Sequence, residues 1–180
     1  LLKCFEIIDG GVTAVDKTIY SMESRDFEAI KAGTLGQYQV TIKSEDRFCN
    51  TLLEVGVEIK EENFPDSNFE IYVAQYDTGD DKEKFLTYAE LEKVTNMNIS
   101  GKSLTERHVY RNLTGIEYFI KLRTLDCSRG EIEELDLSQN KELKSLLCYF
   151  NRLIKLDISG CTNLEQLACQ QNKLKSLDVS

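Results

Sequence analysis

Three cysteines raise the first chemical question. Cys127, Cys148 and Cys169 recur every 21 residues, and a thiol column could pair, ligate a metal or fill space. A structural metal site calls for closely spaced cysteine and histidine ligands, and the chain has neither a C-x-x-C nor a histidine near these thiols. Packing is the expected role, with each thiol acting as a small apolar group. Nucleophilic catalysis through a Ser-His-Asp or Cys-His arrangement would have to use His108, the only histidine. It lies between Arg107 and Val109 in an expected loop and reads as a surface residue. No G-x-S-x-G, H-E-x-x-H, phosphate-loop or G-x-G-x-x-G fingerprint occurs. Carboxylates are abundant, but nothing in their spacing marks a pair for glycosidic cleavage. We therefore expect no enzyme and no catalytic residue.

The 21-residue spacing extends well beyond the cysteines. Leu122, Leu125, Cys127, Gly130 and Ile132 align with Leu143, Leu146, Cys148, Asn151 and Leu153, and again with Leu164, Leu167, Cys169, Asn172 and Leu174. Each set reads L-x-x-L-x-C-x-x-[GN]-x-[IL]. A second half repeats as Leu135-Asp136-Leu137-Ser138, Leu156-Asp157-Ile158-Ser159 and Leu177-Asp178-Val179-Ser180. This is the leucine-rich-repeat pattern with Cys in place of the third Leu. Alternation along a strand turns Leu125 and Cys127 inward and Thr124, Asp126 and Ser128 outward. The same register turns Ser145, Leu147 and Tyr149 outward in the next coil, then Gln166, Ala168 and Gln170. Leu147 and Tyr149 place an aliphatic and an aromatic group where the neighbouring coils carry small or polar ones, a pattern favoured at interface anchors. Asn151 and Asn172 fall where the chain must turn, and their amides can satisfy backbone groups that no ladder reaches. Gly130 offers no such bond, so the first coil is expected to be looser there. Asp136, Asp157 and Asp178 form a ladder of like charges that needs screening or hydrogen bonding.

These groups require elements to position them. Val94–Ser100 and Leu113–Phe119 read as one irregular coil, interrupted by an inserted loop from Leu104 to Asn112. Asp66 can cap a helix whose Phe69, Tyr72, Val73 and Tyr76 fall at helical spacing. Thr87-Tyr88-Ala89-Glu90 is a capping-box pattern opening a second short helix with Leu91 and Val94 on one face. A stack of repeats needs such a helical cover over its first coil.

Phe64-Pro65-Asp66 leading a helix, an acidic loop, a second helix, Thr114-Gly115-Ile116-Glu117-Tyr118-Phe119 and the Cys-containing repeats together resemble the internalin-type leucine-rich-repeat surface proteins of bacteria. The resemblance spans about residues 60 to 180. It implies a secreted or surface-attached binding protein, with a cap of EF-hand-like shape and a solenoid presenting an adhesive face. It also implies a calcium loop between the cap helices, closed by a bidentate Glu. Counting back from Glu90 puts Asp81 and Glu83 at the third and fifth loop positions, with Asp77 available only to a longer loop. Gly79 at the first position and Lys84 in place of the turn glycine depart from that pattern. Two readings stay open: a calcium site of Asp77, Asp81, Glu83 and Glu90, or a solvated acidic loop with Glu90 closing the capping box. No other cofactor is expected.

Ahead of the cap, Tyr38, Val40 and Ile42 alternate, as do Leu53, Val55, Val57 and Ile59, which predicts strands with one buried face. Gly36-x-Tyr38-x-Val40 resembles a late strand of bacterial immunoglobulin-like modules. Cys4 and Cys49 lie here and either pair, as an exported protein would allow, or stay as buried thiols. The expected fold class is α/β: a leucine-rich-repeat solenoid with an N-terminal helical cap, preceded by a small β-rich segment. The expected boundaries are 1–59, 60–93 and 94–180, with repeats starting at 122, 143 and 164, the last incomplete.

Composition narrows the function. The chain has 180 residues, of which 41% are hydrophobic and 29% charged, enough for a sizeable core. Its 22 basic against 31 acidic side chains give a formal charge of -9, the wrong sign for general nucleic-acid binding. No apolar stretch approaches the length of a membrane span. Leu1–Ile8 is broken by Lys3 and Glu6 and does not read as a signal peptide. Asn98-Ile99-Ser100 and Asn112-Leu113-Thr114 fit the glycan-acceptor pattern. Two function classes follow. One is an extracellular protein-interaction or adhesion module that contacts a host or bacterial surface protein, or a polysaccharide, through Thr124, Asp126, Ser128, Ser145, Leu147, Tyr149, Gln166 and Gln170. The other is a structural spacer or display element within a longer bacterial surface protein.

Overall fold

The computed structural model describes residues 5–8, 11–14, 21–23, 29, 32, 34–43, 48–79, 84–101 and 109–177. His108, Cys4, Asp81, Glu83 and Asp178 lie outside them, as does the side chain of Cys49. The chain divides into two compact units, residues 1–57 and 58–180. In the first, β1 (Phe5–Ile8) and β2 (Gly11–Ala14) form an antiparallel pair, and β3 (Ser21–Glu23), β4 (Gly36–Lys43) and β5 (Phe48–Val55) form an antiparallel sheet. The register of β4 on β5 sets Tyr38 opposite Leu53, Val40 opposite Thr51 and Ile42 opposite Cys49. Residues that alternate in the sequence thus fall on one side of the strand backbone.

A short strand, β6 (Val57–Glu58), falls at the boundary in the sequence, and the second unit carries two short helices, α1 (Ser67–Val73) and α2 (Tyr88–Lys93). A 3-10 turn, Ala74–Tyr76, extends α1. Asp66 caps α1 as its spacing predicts, accepting from the amides of Asn68 and Phe69. Its second oxygen accepts from the amides of Arg111 and Asn112, at 2.6 and 3.1 Å. One carboxylate therefore starts a helix and also ties down the return of the inserted loop. Thr87 and Glu90 form a complete capping box on α2. The strand between the helices, β7 (Phe85–Leu86), follows Lys84, whose carbonyl accepts from the Ile59 amide at 2.8 Å. Phe64, Phe69, Val73, Leu86 and Leu91 are fully buried here. Edge-on ring contacts link Phe64 to Phe69 and Tyr118, and Tyr76 to Tyr72 and Phe119.

From residue 96 the chain builds a parallel sheet one short strand at a time. It runs β8 (Asn96–Asn98), β9 (Thr124–Asp126), β11 (Ser145–Leu147) and β13 (Gln166–Ala168) in spatial order, with pairing in perfect 21-residue register between the last three. β8 pairs with β9, and Ile116–Tyr118 forms a 3-10 turn. On the other side of the coils, β10 (Glu134–Asp136) pairs in parallel with β12 (Lys155–Asp157). Met97, Leu125 and Leu146 form one inward row and Ile99, Cys127 and Cys148 the next, every one of them at most 3% exposed. The three repeat cysteines are free thiols in a column, as packing predicts, with Cys169 only half-buried.

The turn after each strand departs from expectation in an informative way. Asn151 donates to the carbonyls of Cys127 and Cys148 and accepts from the Ile132 amide. Asn172 repeats this with Cys148, Cys169 and the Leu153 amide. Each Asn therefore serves its own coil and the one before it. The Cys127 carbonyl of the first coil therefore receives one amide bond, from Asn151, where the Cys148 carbonyl receives two, from Asn151 and Asn172. Gly130 also suits the place, because a Cβ there would lie 2.7 Å from the Asn151 amide oxygen.

Candidate functional site

The outward side of the β8-β9-β11-β13 sheet carries most of the residues that the repeat register singles out. Its first row is Asn96, Thr124, Ser145 and Gln166, aligned by strand pairing. Thr124 donates to the Asn96 side-chain oxygen at 2.6 Å, and Ser145 to that of Gln166 at 2.9 Å. The second row is Asn98, Asp126, Leu147 and Ala168. Hydroxyl and amide groups bonded along the first row make it stiff and uncharged. The second row changes from polar to aliphatic at the third coil.

The third row corrects the sequence reading. Ser128 was expected to face solvent, yet it is only 1% exposed. The strand stops at Asp126, whose carboxylate accepts from both the amide and the hydroxyl of Ser128. That side-chain turn ends the alternation one residue too soon for Ser128 to point outward. Asn98 holds Ser100 in the same way, and Asn112 holds Thr114, so both glycan-acceptor triplets serve as local turns. The next coil has Leu147 in place of Asp126 and cannot form this turn. Tyr149 is left half-buried in the position where Ser128 is hidden.

One residue beyond lies a feature that the alternation did not reveal. Arg129, Phe150 and Gln171 occupy equivalent positions with left-handed φ of 63°, 54° and 56°. For a residue as bulky as Phe this is a strained conformation, costing on the order of 1–3 kcal/mol. Main-chain bonds hold it, from the Arg129 amide to the Tyr149 carbonyl and from Phe150 to Gln170. Phe150 emerges 53% exposed, edge-on to the Tyr149 ring at 5.8 Å and 6.0 Å from the Arg129 guanidinium carbon. The repeat alignment itself was the available signal, because the turn residue preceding Gly130, Asn151 and Asn172 varies among Arg, Phe and Gln.

Charge elsewhere is largely paired between coils. Glu142 takes Lys121 at 2.7 Å, Glu165 takes Lys144 at 2.8 Å, and Glu131 bridges Arg111 and Arg152 at 3.1 and 2.9 Å. Asp136 and Asp157 stack in register but each accepts from the Ser two residues on, at 2.9 and 3.0 Å. The Ser159 hydroxyl and amide hold the Asp157 carboxyl below its usual range. On that side of the coils lies a cleft of about 580 Å³ lined by Arg111, Glu117, Glu133, Glu134, Asp136 and Gln139, among others.

The thiols are chemically quiet. Burial pushes Cys127 well above its ordinary range and Cys148 up to about 12. Cys161, which the repeat alignment places opposite Asn140, is also buried, is pushed by burial to about 11, and donates to the Leu137 carbonyl at 3.3 Å. Protonated buried thiols are poor nucleophiles and poor metal ligands. Of the four residues considered for calcium, only Asp77 and Glu90 are described. Glu90 is 8% exposed, and both its oxygens accept from threonines. Among the described residues no group of three or more His, Cys, Asp and Glu side chains is placed to hold one ion.

Comparison with solved structures finds the functional domain of InlJ from Listeria monocytogenes, which includes a cysteine ladder, at 32% identity and a TM-score of 0.56 over 69% of this chain. An internalin, InlF, from the same species matches at 23% identity and a TM-score of 0.53 over 68% of this chain. The chain spans 26% of the first and 34% of the second. No family model and no curated protein matches the sequence.

Proposed function

The chain has an internalin-type leucine-rich-repeat fold, and we propose that it is a non-enzymatic extracellular protein-interaction or adhesion module, secreted or held at a bacterial cell surface. Residues 60–93 act as its helical cap, 94–180 as a repeat solenoid, and 1–59 as an adjoining β-rich segment. The partner is a protein of a host or of a bacterial surface. The contact is the outward sheet face, made of Thr124, Asp126, Ser145, Leu147, Tyr149, Gln166 and Gln170, with Phe150 added at its edge.

One observation carries this reading. The middle coil sets Leu147, Tyr149 and a strained, exposed Phe150 side by side, flanked by coils whose equivalent positions are polar or small. Aromatic anchors within a polar rim are what protein interfaces concentrate. The left-handed backbone belongs to the repeat turn, shared with Arg129 and Gln171, and what the middle coil adds there is an exposed aromatic ring. The test is capture of candidates from a panel of extracellular proteins and polysaccharides by the whole chain and by a Leu147→Ala/Tyr149→Ala variant. Capture of a protein by the parent chain, lost in the variant, supports the reading. Equal capture by both forms moves the contact off this face, capture by neither assigns the chain to a spacer or display role, and exclusive capture of polysaccharide replaces the protein partner.

A further inference from the structure

The loop joining α1 to α2 is closed by a bond that a cation-binding loop would not form. Glu90, at the third position of α2, accepts from the Thr78 amide and hydroxyl on one oxygen, at 2.7 and 2.6 Å. Its other oxygen accepts from the Thr87 amide and hydroxyl, at 3.0 and 2.9 Å. An ionised carboxylate has about four acceptor positions, and all are filled. A divalent cation gripped by this Glu would need both oxygens facing it at about 2.3–2.6 Å. Main-chain N–H groups of Thr78 and Thr87 instead aim positive hydrogens at those two oxygens, and a main-chain donor cannot rotate away as a hydroxyl can.

Among the described residues of the loop, Asp77 and Lys84 are engaged as well. Asp77 spends one oxygen on the Gly79 amide at 3.1 Å. Lys84 stands where a cation loop needs its turn glycine, and its ammonium reaches Glu70 at 3.5 Å. Burial acts to raise the Glu90 carboxyl, but the Thr78 and Thr87 bonds outweigh it and hold the group below its usual range. The bonds thus stabilise the ionised form, as a cation would.

We infer that Thr78 and Glu90 form a hydrogen-bonded clasp that takes the place of a divalent cation, so that the two-helix region of this chain closes without calcium. The clasp spans twelve residues and joins the end of the first helical segment to the first turn of the second. Thermal melts of the whole chain in a chelator and in millimolar calcium test it, with Thr78→Val and Thr78→Ser alongside. The expected result is one midpoint in both buffers, a fall of about 2–4 °C in Thr78→Val irrespective of calcium, and recovery in Thr78→Ser. Amide exchange supplies a second measurement that needs no variant: the Thr78 N–H should exchange slowly in the chelator. A midpoint raised by calcium, or protection of Thr78 that develops only when calcium is added, would overturn the inference.

Discussion

At the scale of single residues, the amides between coils carry more than their number suggests. Asn151 is 9% exposed and satisfies two carbonyls and one amide from two coils. Asn151→Ala strands the Cys127 carbonyl and the Ile132 amide, while Asn172 still serves the Cys148 carbonyl, and each buried polar group left without a partner costs about 1–3 kcal/mol. We expect a loss of roughly 2 kcal/mol or more in denaturant unfolding, against a small effect for an exposed residue such as Gln139. This role was only half legible in the sequence. The recurrence of Asn before an apolar residue marked the turn, but its reach into the preceding coil depends on how coils stack. Ser128 was misplaced for a related reason: alternation assumes that the strand continues, and the Asp126 carboxylate ends it. Phe150 escaped because periodicity describes strands and says nothing of the left-handed residue that follows one. Thr78, twelve residues from Glu90, belonged to no local pattern at all.

At the scale of elements, close approach between coils sets the tolerance. Gly160 follows the Asp157–Ser159 turn, and a Cβ there would overlap the Ser138 carbonyl of the preceding coil. Gly160→Ala cannot relieve this by moving a side chain, because the obstacle is backbone. It should separate the β10-β12 edge and lower the melting midpoint by several degrees, whereas Gln139→Ala at the equivalent position of the coil before should leave it unchanged. The elements themselves were the most legible part of the sequence. Both helix starts were written in their capping residues, and the strands of the repeats in the 21-residue period. Short helices of seven and six residues have little intrinsic stability, so their caps and buried faces decide whether they form.

At the scale of the whole molecule, the thiol column and the buried tyrosines make stability sensitive to alkali. Cys148 and Cys161 titrate near 9.0 when exposed and at about 12 and about 11 when folded, because burial disfavours the thiolate. Between those values the folded chain keeps protons that the unfolded chain gives up. Stability therefore falls as pH rises from about 9 towards 12. Tyr76, also raised chiefly by burial, adds to the same trend. Unfolding free energy measured across that range should decline, and thiol alkylation at neutral pH should spare Cys127 and Cys148 until the chain is unfolded. The paired charges between coils contribute less, since exposed pairs of this kind are each worth about 0–1 kcal/mol. Their use lies in fixing register, and they leave the sheet face itself nearly free of charge.

That face is where the account is most exposed to test. Affinity for a captured protein partner should be measured for the parent chain, for Leu147→Ala/Tyr149→Ala, and for Glu134→Ala/Lys155→Ala on the opposite edge of the coils. The account predicts at least tenfold weaker binding for the first variant, corresponding to about 1.4 kcal/mol, and unchanged binding for the second. Full affinity in the first variant with loss in the second would contradict it, and would move the contact to the β10-β12 side.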